Sequence, residues 1–336
     1  MNRKRVLVLG ASGFIGKRVV DALLASDWAI PIAAYHKSPP ANLRVASSAM
    51  DATDEAALEQ ALPEVDAVVN CVAGSSPTII GGAQALFAIA AKQAAPPRIV
   101  HLSTMSVYGS ASGEVDESSP LKGDLGAYSS AKVAAEQSAA QYSRTVILRP
   151  GCVYGPGSSQ WSERIARLLI ANRLGDLGQA GEGLCNLIYI DDLVAAILQA
   201  LQLPDIEGQA FNLSMPAPPT WNQYLQLYAQ ALGIRPLKRI SSARLLLETL
   251  LLAPPIKAAE IVLRIVAPAR HGGMQAIPRP LLKLFGQGLV LKVSKAEQVL
   301  GLNWTPMSEG LTLAADGFHA LVRAQSRIGN VPSLPA

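Results

Sequence analysis

The chain has 336 residues, 50% of them hydrophobic and 16% charged, and its formal net charge is +4. This length is enough for one large or two ordinary domains with a sizeable core. The charge is mild and the Lys and Arg residues are scattered, which argues against a nucleic-acid partner.

Cysteine and histidine usage argues against a metal site. The three cysteines are widely spaced without a CxxC pair, and the four histidines have no metal-ligand spacing. Unpaired cysteines are typical of a reducing compartment. The first residues have no signal-peptide pattern, and no uncharged apolar run reaches the ~18 residues of a membrane span. We therefore expect a cytoplasmic protein.

A glycine-rich turn after a buried strand is the strongest local feature. Val6 to Leu9 are apolar, Gly10, Gly13 and Gly16 follow at three-residue spacing, and a helical pattern begins at Ile15. Glycines let a backbone approach a pyrophosphate, and the N–H groups of a helix N-terminus carry partial positive charge. We therefore predict a nicotinamide-dinucleotide site at Gly10, Ser12, Gly13, Phe14, Ile15 and Gly16.

Strands and helices then alternate. The pattern predicts strands at 29–34, 45–50, 66–71 and 98–102, with helices at 55–62 and 79–95. This alternation predicts an α/β fold with a doubly wound parallel sheet.

The end of the second strand bears on cofactor choice. A carboxylate there accepts hydrogen bonds from the ribose 2′-OH of NAD, but none occurs between Trp28 and Met50. His36 and Lys37 stand there instead and favour a 2′-phosphate, so we predict NADP in preference to NAD. Asp51 is a candidate contact for the adenine end or a plain turn residue.

The candidate catalytic residues are Tyr128, Lys132 and Thr104. Tyr128 and Lys132 are four residues apart and share one helix face. An ammonium beside the phenol is expected to lower the pKa of Tyr128, making a general acid/base. Thr104, in the hydroxyl-rich stretch 103–109, can bind the same substrate oxygen. Ala73 is small and follows the fourth strand, where a cofactor crosses.

Together these motifs resemble extended short-chain dehydrogenases/reductases, the NAD(P)-dependent epimerase/dehydratase group that includes 3β-hydroxysteroid-dehydrogenase-like members. Further matching segments are Arg149–Gly157, Ile188–Leu193, Phe211–Leu213 and Leu302–Pro306. The resemblance implies a Rossmann-type fold with a smaller, mostly helical C-terminal substrate domain. It also implies that Tyr128 is the acid/base, that Lys132 is its partner and ribose anchor, and that Thr104 orients the substrate. Pro150 and Val153 join the expected cofactor contacts.

The resemblance also implies boundaries and assembly. We expect a Rossmann domain at 1–150, continued by about 186–215, a substrate domain at 151–185 and 216–322, and a tail at 323–336. A homodimer through helices 79–95 and 127–141 is expected by analogy.

Departures from the family pattern narrow the chemistry. Met105-Ser106 stands where sugar dehydratases carry an Asp-Glu pair, which makes dehydration an unfavoured reaction. Cys185 and Cys152 replace an Arg and an Asn common in nucleotide-sugar epimerases, which weakens that interpretation. The arginines available as substitutes, or else as solvated side chains, are Arg164, Arg167 and Arg173.

The stretch 245–267 is the least ordinary. We predict two amphipathic helices joined by Pro254-Pro255. Three roles are open for these helices. They pack as a lid or core of the substrate domain, they line an apolar tunnel for a steroid-like alcohol, or they make a peripheral membrane contact.

The sequence thus favours an NAD(P)-dependent oxidoreductase that moves hydride between nicotinamide and a secondary alcohol or ketone, with a hydrophobic, steroid-like small-molecule substrate. A nucleotide-sugar epimerase with tightly bound NAD is the alternative enzyme. A catalytically silent cofactor-binding or assembly protein is the non-enzymatic alternative, and the intact Tyr128 and Lys132 argue against it.

Overall fold

The computed structural model describes residues 3–37, 39, 45–253, 255–256, 258–259 and 276–327. The described residues form two compact units. The first unit takes its residues from Met1–Gly151, Ile190–Pro216 and Leu291–Trp304. The second takes them from Cys152–Tyr189, Ala217–Val290 and Thr305–Ala336.

A parallel sheet forms the centre of the first unit. Its seven strands run in the order β10-β7-β5-β4-β1-β2-β3, and every neighbouring pair is parallel. The strands of the chain are β1 (Lys4–Leu9), β2 (Ala29–Tyr35), β3 (Ala46–Ala49), β4 (Ala67–Asn70), β5 (Arg98–Leu102), β6 (Gly113–Val115), β7 (Thr145–Pro150), β8 (Cys152–Tyr154), β9 (Leu187–Tyr189), β10 (Ala210–Leu213) and β11 (Leu289–Leu291). The predicted doubly wound α/β sheet is confirmed.

Helices flank this sheet and cover its apolar strands, which is why Val6 to Leu9 are almost fully buried. The helices of the chain are α1 (Phe14–Ala25), α2 (Glu55–Ala61), α3 (Ser76–Ala91), α4 (Ala127–Ala139), α5 (Arg164–Ile170), α6 (Ile190–Gln202), α7 (Trp221–Ala231), α8 (Ser242–Leu247), α9 (Arg279–Phe285), α10 (Ser294–Leu300) and α11 (Met307–Arg327). In the first unit α1 packs against α6, and α3 packs against α2 and α4.

The core of the first unit supports the helix that carries Tyr128. Leu86 and Phe87 of α3 lie in one buried cluster with Ala131 and Ala135 of α4. The small alanines let α4 approach α3 closely. The position of α4 is therefore determined by packing along its length.

The second unit has an aromatic core and a short parallel pair, β8 with β9. Trp221 packs edge-on against Tyr224 and Phe285, with ring centroids 5.8 and 4.9 Å away. Thr220 and Gln223 form a capping box that begins α7. Within the described residues, no helix has the length and apolarity needed to cross a bilayer.

Several boundaries differ from the sequence-based ones. Residues 291–304, expected in the substrate domain, cluster with the first unit because Lys295 Nζ donates to Ala210 O at 2.9 Å and lies over the Phe211 ring. The expected tail begins inside α11, which continues to Arg327. In the second unit a wide turn, Ser159–Glu163, leads directly into α5.

Candidate functional site

The glycine turn forms a tight cradle at the start of α1. Gly10 has φ +77°, and a Cβ there would lie 3.0 Å from the Cys71 carbonyl oxygen. A Cβ on Gly16 would overlap the Gly10 carbonyl, so the helix crosses the turn only because both residues are glycines. Gly13 caps α1 without a side chain, and the first helical turn carries no acidic residue. This arrangement fits a pyrophosphate.

The remaining predicted residues of the turn are accessible from outside. Ser12 and Gly13 are exposed, and Phe14 and Ile15 are half-buried. A phosphate group can therefore reach the backbone N–H groups at this end of α1 without displacing core side chains.

The side chains of His36 and Asp51 are in contact beyond the ends of β2 and β3. His36 Nε2 lies 3.2 Å from Asp51 Oδ2. Asp51 Oδ1 accepts hydrogen bonds from Thr53 N at 2.9 Å and Thr53 Oγ1 at 2.8 Å. These bonds, with the nearby imidazole, hold the pKa of Asp51 below its usual value. Asp51 is thus a turn carboxylate that neighbours His36, while Lys37 is exposed.

Tyr128 and Thr104 lie together at the carboxyl end of β5. Tyr128, on the first turn of α4, is 47% exposed. A side-chain hydrogen bond joins it to Thr104. Thr104 Oγ1 also accepts from Ser106 N at 3.2 Å, which orients the hydroxyl. The half-buried Thr104 hydroxyl thus lies beside the accessible phenol of Tyr128.

Lys132 lies beneath this pair and is almost completely buried. Its Nζ donates to Leu102 O at 2.8 Å and to Val72 O at 3.4 Å. Burial lowers the pKa of Lys132 to about 8, and the nearby Cys71 and Glu136 oppose that change. The Cys71 next to Val72 is the residue whose carbonyl meets Gly10. A short series of contacts thus connects the glycine turn to α4.

The expected pKa of Tyr128 needs correction. For the protein's own groups, partial desolvation raises the pKa of Tyr128 above its usual value, and the hydrogen bond with Thr104 opposes the rise. Lys132 is not among the groups that shift this pKa, and its ammonium donates to backbone carbonyls.

The three remaining residues predicted to contact the cofactor, Ala73, Pro150 and Val153, lie in different parts of the chain. Ala73 is exposed and directly follows Val72, which accepts the bond from Lys132. Pro150 is the buried last residue of β7. Val153 is buried in β8 of the second unit.

A buried polar network beside α4 was not predicted from the sequence. Arg149 of β7 donates to Glu136 of α4, with Nη2 2.7 Å from Oε2. Ser103 Oγ also donates to Glu136. Arg149 Nη1 donates to Tyr108 Oη at 2.9 Å, and Tyr108 Oη donates to Asn212 Oδ1 at 2.6 Å. The network attaches α4 to the ends of three strands.

One sequence signal could have found this network. Glu136 follows Lys132 by four residues, as Lys132 follows Tyr128, so all three share a helix face. A buried carboxylate needs a partner, and Arg149 is the arginine at the end of the neighbouring buried strand. Ser103, adjacent to Thr104, serves this network and is buried.

Three residues at or near the departures from the family pattern have buried side-chain partners in the second unit. Cys185 is fully buried and forms a side-chain hydrogen bond with Cys152. Burial raises the pKa of Cys185 well above its usual value. Arg173 is committed to a buried ion pair with Glu248, Nη2 to Oε2 2.5 Å. Across the described ranges, no three His, Cys, Asp or Glu side chains cluster as metal ligands would.

A family model for the NAD dependent epimerase/dehydratase family matches residues 6–214. The chain belongs to this family. The match covers the glycine turn, the Thr104 and Tyr128 region and Lys132, so the resemblance found from the motifs is confirmed.

Curated relatives are similar over part of the chain. Protein YeeZ of Escherichia coli is 31% identical over 146 residues, 42% of this chain and 48% of its own length. The chain therefore spans about half the length of that relative. A dTDP-6-deoxy-L-talose 4-dehydrogenase (NAD(P)(+)) of Kitasatospora kifunensis is 31% identical over 222 residues, 58% of this chain and 69% of its own.

A solved structure extends the likeness of fold. UDP-glucuronic acid 4-epimerase from Bacillus cereus, in complex with UDP-glucuronic acid and NAD, has a TM-score of 0.71 at 20% identity. The match covers 94% of this chain and 99% of that one. At this identity the likeness concerns the fold, and it confirms the Rossmann-type architecture with a C-terminal helical region.

Proposed function

We propose that the protein is an NAD(P)-dependent oxidoreductase that transfers hydride between nicotinamide and the carbon of a secondary alcohol or ketone. One observation carries this proposal: the accessible phenol of Tyr128 is hydrogen-bonded to Thr104 and lies on the helix that buries Lys132. Contacts through Val72 and Cys71 join that helix to the glycine turn.

The residues present fit a dinucleotide. Gly10, Gly13 and Gly16 would admit the pyrophosphate against the N-terminus of α1, and Ala73 would lie under the cofactor. When bound, the cofactor supplies or accepts the hydride. Thr104 binds the substrate oxygen, and Tyr128 gives it a proton during reduction or removes one during oxidation. Lys132 holds a positive charge below the site while it is protonated.

NADP is the proposed cofactor, in preference to NAD. No carboxylate ends β2, and Lys37 is exposed at the position where a 2′-phosphate would lie. The His36 side chain contacts the Asp51 carboxylate, so Lys37 is the principal cation in this proposal.

A hydrophobic, steroid-like alcohol or ketone is the proposed substrate class. The support is chemical. Cys185, buried against Cys152, cannot neutralise a diphosphate. Arg173 is neutralised by Glu248. Met105 and Ser106 provide no acid and base for water elimination.

Epimerisation of a nucleotide sugar with retained NAD is the second candidate. The observation that favours it is the chemistry named for similar proteins, a dTDP-sugar dehydrogenase and a UDP-glucuronic acid 4-epimerase. The same Tyr128 and Thr104 would serve a transient oxidation, so the two candidates differ in the substrate and in cofactor release.

The test begins with the purified protein. We expect no retained nucleotide after denaturation and extraction, and calorimetry should show tighter binding of NADP⁺ than of NAD⁺. Hydrophobic ketones should then consume NADPH stoichiometrically. Retained NAD⁺, with interconversion of UDP- or dTDP-sugars and no net change in reduced cofactor, would move the epimerase to first place.

The assembly expected from the family is part of the same proposal. A cytoplasmic homodimer would form through α3 and α4, which pack against each other in each protomer. Light scattering should give twice the chain mass, and a monomer at micromolar concentration would contradict this assembly.

A further inference from the structure

One helical stretch of the second unit has its apolar face outward. Leu246, Leu247, Leu250 and Leu251, here called the leucine face, are between 36% and 64% exposed. Leu246 and Leu247 end α8, and Leu250 and Leu251 belong to the wide turn Glu248–Leu252 that directly continues it. The buried side chains of the stretch are Leu245, Glu248 and Thr249, and Leu252 is also exposed, at 42%. Exposed leucines beside buried polar residues are unusual for a surface helix.

Specific polar contacts hold this orientation. Arg173 Nε donates to both carboxylate oxygens of Glu248, at 3.1 and 3.0 Å. Arg244 Nη2 donates to Asn172 O at 3.0 Å. Because a buried carboxylate must keep its partner, the stretch cannot rotate to hide the leucine face without breaking the pair.

Exposed cations lie on helix α9 and in the segment before α8. Helix α9, which carries exposed Arg279 and Lys283, packs against the segment Glu248–Leu252. Arg235 and Lys238, before α8, are also exposed. The combination of outward leucines and nearby cations is the pattern of a protein that lies on an anionic bilayer.

The sequence concentrates positive charge in this region. From Arg235 to Lys292 it has ten Lys and Arg residues and two acidic residues, Glu248 and Glu260. The rest of the chain has 19 basic and 23 acidic residues, so the net positive charge of the protein comes from this stretch. Such asymmetry in the sequence indicates an acidic partner for this stretch of the chain.

We propose that the leucine face docks into the interfacial region of an anionic lipid membrane, with the neighbouring arginines and lysines on the lipid headgroups. The leucines enter the boundary between headgroups and acyl chains, and the long cationic side chains remain at the phosphate level. This is peripheral binding, and it would bring the second unit to a surface where hydrophobic alcohols and ketones dissolve.

Part of the predicted membrane-contact stretch lies outside the described residues. Of 245–267, residues 254, 257 and 260–267 belong to that part, and the second predicted helix falls mostly within it. The proposal rests on the described leucine face and cations. Coverage of that face by the chain's own residues, or by a second copy, is an outcome that the test distinguishes.

The experiment measures flotation of the full-length protein with vesicles. We expect binding to phosphatidylcholine vesicles containing about 30% phosphatidylglycerol, and binding at least about tenfold weaker to phosphatidylcholine alone. About 0.5 M salt should weaken the anionic binding, because it screens the headgroup charge. Absence of binding to either vesicle, as expected for a covered face, would overturn the proposal, and so would equal binding to both.

Variants separate the leucine and charge contributions. Leu247→Ser with Leu251→Ser should lower the binding constant about tenfold or more, whereas the control Leu24→Ser with Leu313→Ser, also exposed leucines, should not. Arg279→Gln with Lys283→Gln should weaken only anionic binding, and Lys92→Gln with Lys122→Gln is its control.

Circular dichroism verifies the fold of each variant. If the leucine double variant bound vesicles like the parent, the proposal would be wrong. The same holds if light scattering showed that the leucine face joins two copies and that the double variant loses only this association.

Discussion

Two buried arginine–glutamate pairs, one in each unit, lie beneath helices with very different outer surfaces. Arg149 binds Glu136 under α4, and Arg173 binds Glu248 behind the leucine face. All four side chains are at most 10% exposed. In the first unit the outer end of the helix offers the phenol of Tyr128, and in the second the outer face is apolar.

The comparison shows that the same kind of buried ion pair can lie beneath helices whose outer surfaces differ in chemistry. A buried pair has little net stabilising value against an apolar substitute, but losing one partner is costly. Each pair therefore acts mainly on orientation: it determines which side of its helix is outward. Around Glu136 the network also reaches Ser103, next to Thr104, so the first pair is coupled to the candidate chemistry and the second is not.

The largest expected effect comes from the outer end of α4. Tyr128→Phe should lower kcat about 10²–10⁴-fold, because the proton donor and acceptor is removed. The free energy of unfolding should hardly change, since the hydroxyl is at the surface. Steady-state kinetics with a confirmed substrate checks this, with Ser138→Ala on the same helix as control. Unchanged turnover would exclude Tyr128 as the acid/base.

Removing one carboxylate at a time tests the two pairs directly. Glu136→Gln and Glu248→Gln should each lower the free energy of unfolding by about 3–5 kcal/mol, because each leaves a buried arginine without its counter-ion. Urea denaturation measures this. Glu207→Gln, which breaks the more exposed pair with Arg98, is the control and should cost about 1 kcal/mol.

Kinetics on the same variants sharpens the contrast. Glu136→Gln should also lower kcat, whereas Glu248→Gln should leave kcat unchanged at temperatures where both are folded. Equal kinetic effects from the two variants would show that the first pair has no special connection to the catalytic helix.

Acid should destabilise the first unit through His101 of β5. Burial, with a smaller effect of Lys132, lowers the pKa of His101 to about 3. Below pH 6.5 the unfolded chain binds a proton there and the folded chain does not. The free energy of unfolding should therefore fall by about 1.4 kcal/mol per pH unit from 6.5 downward. His101→Gln should flatten this slope between pH 6.5 and 5, and His319→Gln in the second unit should not.

The smallest effect concerns the alkaline limb of ketone reduction. The pKa of Lys132 is about 8 because of burial, so kcat should fall as the pH rises through that value and the ammonium loses its proton. Glu136→Gln should move this limb to lower pH, because the Glu136 carboxylate raises the pKa of Lys132. Glu248→Gln should not move it. If Glu136→Gln left this limb at the same pH, the Arg149–Glu136 pair would have no influence on the ionisation of Lys132.

The glycine turn and α4 could be predicted because each depends on residues that are close together in the sequence. An apolar strand, three glycines and a helical pattern lie within a dozen residues, and Tyr128 and Lys132 are one helical turn apart. The contact of His36 with Asp51 could not be predicted in this way. It depends on the β2–β3 register, in which Tyr35 pairs with Ala49, and register is a property of the assembled sheet.

The sequence by itself determined the α/β order, the glycine turn and the four-residue spacing of Tyr128 and Lys132, since each follows from short-range spacing. Only the tertiary structure decided where Lys132 donates, which carboxylate meets Arg149 and which side of the 246–251 helix faces outward. Periodicity identifies two faces of a helix but assigns neither to the core. That choice depends on partners distant in the chain, such as Arg173 for Glu248, and burial makes those partnerships costly to break.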